Sequence, residues 1–304
     1  MPRIRCDPAR TRRRQAPPER VAADLPYGTT RDSSPAPAAS VTAGAPFVVL
    51  IPARLASTRL PNKPLADIGG KPMIVRVAEQ ASRSRATRVV VATDSPEVAA
   101  AVRGGQFEVV LTRDDHRSGT DRLAEAAGLL DLPDDAIVVN MQGDEPELPP
   151  RLLDAVADCL AADGDCPMAT AAHAIDRVQD WFNPNVVKVV LDCRGNALYF
   201  SRAPVPYHRD GLKRFPAVDD ASALRRAFTE AAPLRHIGLY AYRGGFLKTY
   251  SQMAPTALEG IEALEQLRVL FHGYSIRVVV TEEAPAAGID TPEDLAAVRL
   301  RFDR

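Results

Sequence analysis

Phe47-Val48-Val49-Leu50-Ile51-Pro52-Ala53-Arg54-Leu55-Ala56-Ser57-Thr58-Arg59-Leu60-Pro61-Asn62-Lys63-Pro64 is the stretch from which the fold can be read. Its first five residues form an unbroken apolar run, as expected of a strand covered on both faces rather than one with a wet side. Similar short runs recur at residues 88–92, 107–111 and 136–141, and helical patterns occupy 73–84, 96–103, 121–130 and 151–161. Strands alternating with helical crossovers predict an α/β fold, a three-layer and mostly parallel sheet with helices on both sides. The second half changes character. Runs at 186–191, 197–200, 237–242 and 275–281 are interrupted by Pro204, Pro206 and Pro216, with one long helix expected at 258–271. That pattern predicts a mixed, β-rich region suited to substrate binding or dimerisation.

Upstream of Phe47 the composition differs. Residues 1–46 hold eight of the 26 prolines, the run Arg12-Arg13-Arg14 and a Pro/Ala/Ser-rich stretch. Such a segment buries too little apolar surface to offset its ordering entropy, so a disordered N-terminal tail is expected over 1–46 and a single folded domain over 47–304. No apolar core follows the arginines, which argues against a secretory or twin-arginine signal; a transit peptide is a weaker alternative. Over the whole chain Lys plus Arg total 38 against 39 for Asp plus Glu. This balance argues against a nucleic-acid coat or a membrane-surface protein, and no apolar run approaches the roughly 18 residues of a membrane span. Cys6, Cys159, Cys166 and Cys193 show no CxxC spacing, which fits reduced thiols in a cytoplasmic protein.

In open α/β sheets ligands bind beyond the carboxyl ends of the strands, so the loop after residue 53 is the first candidate site. It carries no G-x-G-x-x-G, and Gly70-Lys71 is not a P-loop, which argues against a dinucleotide or P-loop ATPase. It does carry Arg54, Arg59 and Lys63 with the hydroxyls of Ser57 and Thr58. Guanidinium forks and an ammonium point charge suit a polyphosphate; a solvated basic turn is the plain alternative. The fourth run ends in Asn140-Met141-Gln142-Gly143-Asp144-Glu145, where Asp144 can face a hard divalent cation, Gly143 admits close backbone approach and Gln142 can read a polar edge. A turn into the next helix would account for the same acids. A second strand-end carboxylate is Asp290, before Thr291-Pro292-Glu293-Asp294, which also reads as a capped helix start. Two such aspartates facing one anion-binding loop favour a shared Mg²⁺ site. On a helical wheel over 258–271, Glu265 falls inside the arc of Leu258, Ile261, Leu264 and Val269, either paired with Arg268 or aimed into a pocket. The segment 115–122 precedes a helix that it can cap or whose N–H groups it can offer to a ligand.

From Phe47 to about Phe302 these motifs together resemble the 3-deoxy-manno-octulosonate cytidylyltransferases, the CMP-Kdo synthetases of lipopolysaccharide biosynthesis. The segments that carry the resemblance are IPARLASTRLPNKPL, VVVATDSPEV, TRDDHRSGTDRL, VNMQGDEPELP, FNPNVVKVVLD, ALYFSRAPVPY, RHIGLYAYR, LEGIEALEQLRVLF and GIDTPEDL. The resemblance implies a nucleotide-diphospho-sugar transferase type of fold, a homodimer, and transfer of CMP from CTP to Kdo with Mg²⁺, releasing pyrophosphate. It implies that Arg54, Ser57 and Lys63 hold CTP phosphates, with Arg59 in the same loop. Gln142 would contact substrate, Asp144 and Asp290 would hold Mg²⁺, and Arg202, His236, Tyr240, Glu265 and Gln266 would line the sugar pocket. The sequence departs from the family pattern in Asn62, where glycine is more usual, and in a longer stretch between Arg202 and His236. A sister enzyme acting on sialic acid or 8-amino-Kdo, a GT-A-like glycosyltransferase lacking its DxD, and a binding protein on the same fold are the rival readings.

Overall fold

The computed structural model describes residues 44–55, 60–116, 118–209, 232–282 and 284–302. All but residues 44–46 of the expected N-terminal tail lie outside them, as do Ser57 and Arg59. In chain order the strands are β1 (Phe47–Ala53), β2 (Asp67–Ile68), β3 (Lys71–Pro72), β4 (Arg88–Thr93), β5 (Glu108–Leu111), β6 (Ile137–Asn140), β7 (Met168–Ala174), β8 (Lys188–Leu191), β9 (Ala197–Ser201), β10 (Leu234–Arg243) and β11 (Ile276–Thr281). The helices are α1 (Met73–Ala81), α2 (Pro96–Gly104), α3 (Gly119–Leu129), α4 (Pro150–Ala161), α5 (Val178–Phe182), α6 (Gly244–Gln252), α7 (Ala257–Glu262), α8 (Gln266–Phe271) and α9 (Pro292–Phe302).

Among the described residues, nine strands make one sheet in the order β11-β7-β10-β6-β1-β4-β5, with β8 beside β10 and β9 beside β8. The strands β6, β1, β4 and β5 run parallel, whereas β10 is antiparallel to both β6 and β7. The central strand shows why its sequence is continuously apolar. Phe47, Val49 and Ile51 pack with α1, α2, α4 and α9 on one face; Val48 and Leu50 pack with α3, α6 and α8 on the other. Alternate side chains thus enter two cores, and the three-layer α/β architecture follows. Helix α4 buries Leu152, Leu153, Val156, Ala157 and Leu160, a spacing that lays one stripe on the sheet. Each such leucine or valine contributes about 1.5–3 kcal/mol relative to exposure.

The expected helix over residues 258–271 is a correction. It is two short helices, α7 and α8, separated where Ala263 takes the left-handed conformation (φ 50°, ψ 52°). The apolar arc imagined across it does not exist, because Ile261 is 82% exposed while Leu264 and Val269 are buried. No helix among the described residues is long and apolar enough to cross a membrane.

Candidate active site

β1 and β6 end side by side, and their following loops form the floor of the site. Gly143 allows this: a Cβ there would meet the Pro52 carbonyl oxygen at 2.9 Å, so the close approach is between the loop after β6 and the end of β1. The chain then turns through a short 3₁₀ segment, Lys63–Leu65, entered from Asn62 in the left-handed region (φ 55°). This conformation explains why glycine suits position 62, and asparagine is among the few other residues that adopt it readily. The turn carries Lys63 inward. Its Nζ donates to Asp144 Oδ2 at 2.6 Å and to Asp290 Oδ1 at 3.0 Å.

The aspartates of two distant segments therefore converge on one positive centre. The last segment is fixed against β6 by the Ile289 amide, which donates to the Asp144 carbonyl at 2.9 Å. The start of α9 is capped by other groups: Thr291 N and Asp290 N both donate to Asp294 Oδ2, and Asp294 N donates to Thr291 Oγ1. Capping thus does not use the Asp290 carboxylate, which faces Lys63. Next to Asp144, the Glu145 carboxylate has its Oε2 shut away from solvent with no hydrogen-bond partner. Burial, with the Asp144 charge adding to it, pushes this carboxyl up to about 8. Two hard carboxylates meeting at a single cation suit a divalent ion such as Mg²⁺, which takes one or two protein carboxylates and fills its remaining positions with water and phosphate oxygens. The donor set fits on that count, and among the described residues no group of three or more His, Cys, Asp or Glu side chains gathers to make an all-protein cage. Arg54, the residue that follows β1, is exposed.

A cavity of about 260 Å³ adjoins it, lined by side chains that include Gln142, Tyr240, Glu265 and Gln266. Gln142 on the β6 loop joins the two parts, two residues before Asp144. The cavity exists because β10 is irregular: its pairing with β7 shifts register between Ile237 and Tyr240, and Gly238 and Tyr240 form part of the wall. Such bulges re-aim side chains beside functional sites. Thr170 of β7 fills the gap, its hydroxyl 2.7 Å from the Leu239 carbonyl and 3.0 Å from His236 Nε2. Glu265 reaches the cavity because the left-handed Ala263 ends one helix and starts another. Burial raises its carboxyl, against the pull of the Thr120 hydroxyl and the Arg268 charge. Arg268 itself is ion-paired with Glu259.

Arg202 and His236 are placed outside the cavity lining. The Arg202 guanidinium donates to the carbonyls of Glu262 (2.6 Å), Pro184 (2.9 Å) and Ala263 (3.3 Å), bracing the break between α7 and α8. Below it, the buried Lys188 ammonium spends its three hydrogens on the carbonyls of Asn183, Val186 and Arg202. His236 lies edge-on to Phe200 with ring centroids 5.0 Å apart, and 5.4 Å from the Tyr240 ring.

A family model described as Cytidylyltransferase matches residues 48–276. Over 256 residues, 84% of this chain and 98% of the relative, the sequence is 60% identical to the 3-deoxy-manno-octulosonate cytidylyltransferase of Herminiimonas arsenicoxydans. The chain belongs to the 3-deoxy-manno-octulosonate cytidylyltransferase family. The member from Neisseria gonorrhoeae (strain NCCP11945) is 57% identical over the same 256 residues, again 84% of this chain and 98% of the relative. Among solved structures, CMP:2-keto-3-deoxy-manno-octonic acid synthetase complexed with CTP superposes with a TM-score of 0.75 at 40% identity, covering 85% of this chain and 99% of that one. A cytidylyltransferase from Leptospira borgpetersenii serovar Hardjo-bovis (strain JB197) shares the fold at a TM-score of 0.52 and 15% identity, with 84% of each chain covered.

Within this cytidylyltransferase frame, several residues of the site carry no obvious mark in the sequence. Thr170 lies in the alanine-rich Met168–Ala174, and Lys188 reads as an ordinary surface lysine until its strand is placed. Asn140 and Tyr250, both in the cavity wall, are recognisable only once β6 and α6 face one another.

Proposed function

We propose that the chain transfers CMP from CTP to the anomeric hydroxyl of 3-deoxy-D-manno-octulosonate, giving CMP-Kdo and pyrophosphate. In this reading it is an Mg²⁺-dependent nucleotidyltransferase that works as a cytoplasmic homodimer and supplies lipopolysaccharide biosynthesis. The observation that carries the reading is the adjacency of two unlike half-sites. A cation-bridged carboxylate pair lies beside a cavity lined by tyrosines, amide side chains and the Glu265 carboxyl, with Gln142 in its wall two residues before Asp144. The first suits a triphosphate and its metal; the second suits a polyhydroxy acid. Identity of 57–60% with named Kdo cytidylyltransferases over nearly their whole length supports the same substrates.

The reaction needs little covalent work from the protein. The sugar oxygen attacks the α-phosphorus, the α–β phosphoanhydride bond breaks, pyrophosphate leaves and the hydroxyl proton is released. Positioning and charge neutralisation can supply most of the acceleration, so no enzyme–nucleotide adduct is expected. Arg54, Ser57 and Arg59 hold the triphosphate, and Lys63 offsets phosphate charge from its place between Asp144 and Asp290. When bound by these two carboxylates, Mg²⁺ supplies Lewis-acid stabilisation of the phosphate oxygens and acidifies the attacking hydroxyl. Tyr240, Glu265 and Gln266 orient the sugar, with Arg202 and His236 on the same side. Leu198 on β9 and Ile261 on α7 are 60% and 82% exposed, on elements tied by Tyr199 and Ser201 donating to Glu262; they support the homodimer.

Pyrophosphate release from CTP tests the proposal, comparing Kdo, 8-amino-Kdo and sialic acid. Release with Kdo, abolished by EDTA and by Asp290→Ala, is the expected result. Release with another acid sugar alone would move the substrate, and none from folded protein would end the enzyme reading.

A further inference from the structure

The charged site has a second support, at the far end of α9. Asp290 stands two residues before Pro292, where the helix begins, and Leu295 and Val298 bury one side of it in the core. Its last turn sends one arginine to each of the other two segments of the site. Arg301 holds the Glu147 carboxylate in a fork, Nε donating to Oε1 at 2.8 Å and Nη2 donating to Oε2. Glu147 lies three residues after Asp144 in the loop after β6. Arg299 Nε donates to the Asp67 carbonyl at 2.8 Å, four residues after Lys63. The Arg76 guanidinium completes this anchor: it binds the Ile68 and Gly69 carbonyls and lies 5.1 Å from the centroid of the Phe302 ring.

The three segments that supply Lys63, Asp144 and Asp290 are therefore joined twice, once through the ammonium and once through α9. The second joint is suited to setting a distance. Two parallel bonds from a guanidinium fix direction as well as reach, and a forked pair of this kind escapes the rule that exposed ion pairs contribute little. The Arg301 side chain is 50% exposed, but that of Glu147 only 23%. Two carboxylates kept close repel each other, so a site for a hard cation needs outside restraint to hold its oxygens before the cation arrives. We propose that Arg301, acting through Glu147, is a positioning residue that fixes Asp144 relative to Asp290. The inference rests on the function proposed above only for the identity of the cation and nucleotide served; the restraint itself is a property of the protein alone.

Arg301→Met cuts the forked pair and leaves the buried side of α9 intact. Combined with Lys63→Met in a double-mutant cycle of melting temperatures, without divalent cation, it separates positioning from ordinary support. Lys63→Met removes the shared ammonium; in the otherwise intact protein the two carboxylates then cannot part, whereas in Arg301→Met they can. The fall in melting temperature caused by Lys63→Met should thus be about half as large in the Arg301→Met background, whereas an arginine that merely stabilises the fold would give additive falls. The reversed pair, Arg301→Glu with Glu147→Arg, rebuilds the link and should bring back the full fall. In kinetic assays Arg301→Met should raise the KM for CTP and the half-saturating Mg²⁺ concentration about 3- to 10-fold, with the KM for Kdo unchanged. Additive melting-temperature losses, or KM values for CTP and Kdo that rise together or not at all, would overturn the assignment. The cycle needs neither metal nor turnover, which separates this inference from the reaction itself. A coupled cycle in a protein that releases no pyrophosphate would sink the reaction and leave the positioning role standing. Pyrophosphate release by the wild type with an additive cycle would sink the positioning role alone.

Discussion

His236 should make the protein acid-sensitive, and His236→Gln should remove a definable part of that sensitivity. The residue as a whole is only half-buried, but its ring is enclosed by Phe200 and Tyr240 and meets the Thr170 hydroxyl rather than a charge. Burial holds the imidazole down to about 3. In the unfolded chain the same group titrates near 6.5. Below that value the unfolded state takes up a proton that the folded state refuses, so stability is complete above about pH 6.5 and is lost as pH falls toward 3. Between pH 7.5 and pH 5 the linkage amounts to about 2 kcal/mol, and partial exposure of the residue brings the expectation to about 1–2 kcal/mol. Urea unfolding of wild type and His236→Gln at both pH values, without ligands, isolates this histidine because every other titrating group is shared. The wild type should lose that much more stability than the variant on acidification. Identical losses would show that the imidazole protonates freely in the fold, and the enclosed, neutral His236 described above would be wrong.

Lys63→Met should leave Asp144 and Asp290 facing each other without their shared ammonium; with side chains 30% and 46% exposed, the cost is about 1–2 kcal/mol. Thermal melts should show that cost without divalent cation and a recovery on adding Mg²⁺ larger than in the wild type. Lys188→Met should cost about 2–4 kcal/mol in urea unfolding, since three carbonyls that now share one buried ammonium would lose it. Asn62→Gly should leave the melting temperature level or slightly raised, whereas Asn62→Val should lower it by the equivalent of about 1–2 kcal/mol, because the φ of 55° is unfavourable for a β-branched residue.

The legible parts of the chain were those where one physical requirement dominates. Residues 47–51 had to be apolar throughout because they are covered twice, and the aspartates at strand ends are visible once the strand is. β7 escaped notice because Met168–Ala174 has little β-branched character; its conformation comes from lying between β10 and β11, not from its own propensity. Helix α6 was hidden by its opening Gly244-Gly245, where a Cβ at position 244 would meet the Pro133 carbonyl oxygen at 2.3 Å. The break at Ala263 is the most instructive failure. Alanine is a strong helix former, and nothing local announces a left-handed residue there. Tertiary bonds impose it: Arg202 binds the carbonyls of Glu262 and Ala263, while Leu264 is buried behind them. Strain of this kind persists only where the surroundings over-determine it. Glu265 therefore reaches the cavity for a different reason than the helical wheel suggested.

The reversal of direction between β6 and β10 explains how one sheet carries two chemically unlike half-sites. Parallel strands deliver loops at a common edge, which is enough to bring Lys63 and Asp144 together there. A further parallel strand would have brought another loop to the same edge. Because β10 runs the other way, its body passes the end of β6, and Tyr240 stands directly across from Asn140. The cavity is thus walled in part by β10 and by α6. The carboxylate side is made of loops and of side chains already neutralising one another. On this division, substitutions in the cavity wall should alter which sugar is used, while substitutions around Lys63 should alter charge handling and metal response. The two kinds meet at Gln142, which belongs to the cavity wall and lies two residues before a carboxylate held by Lys63.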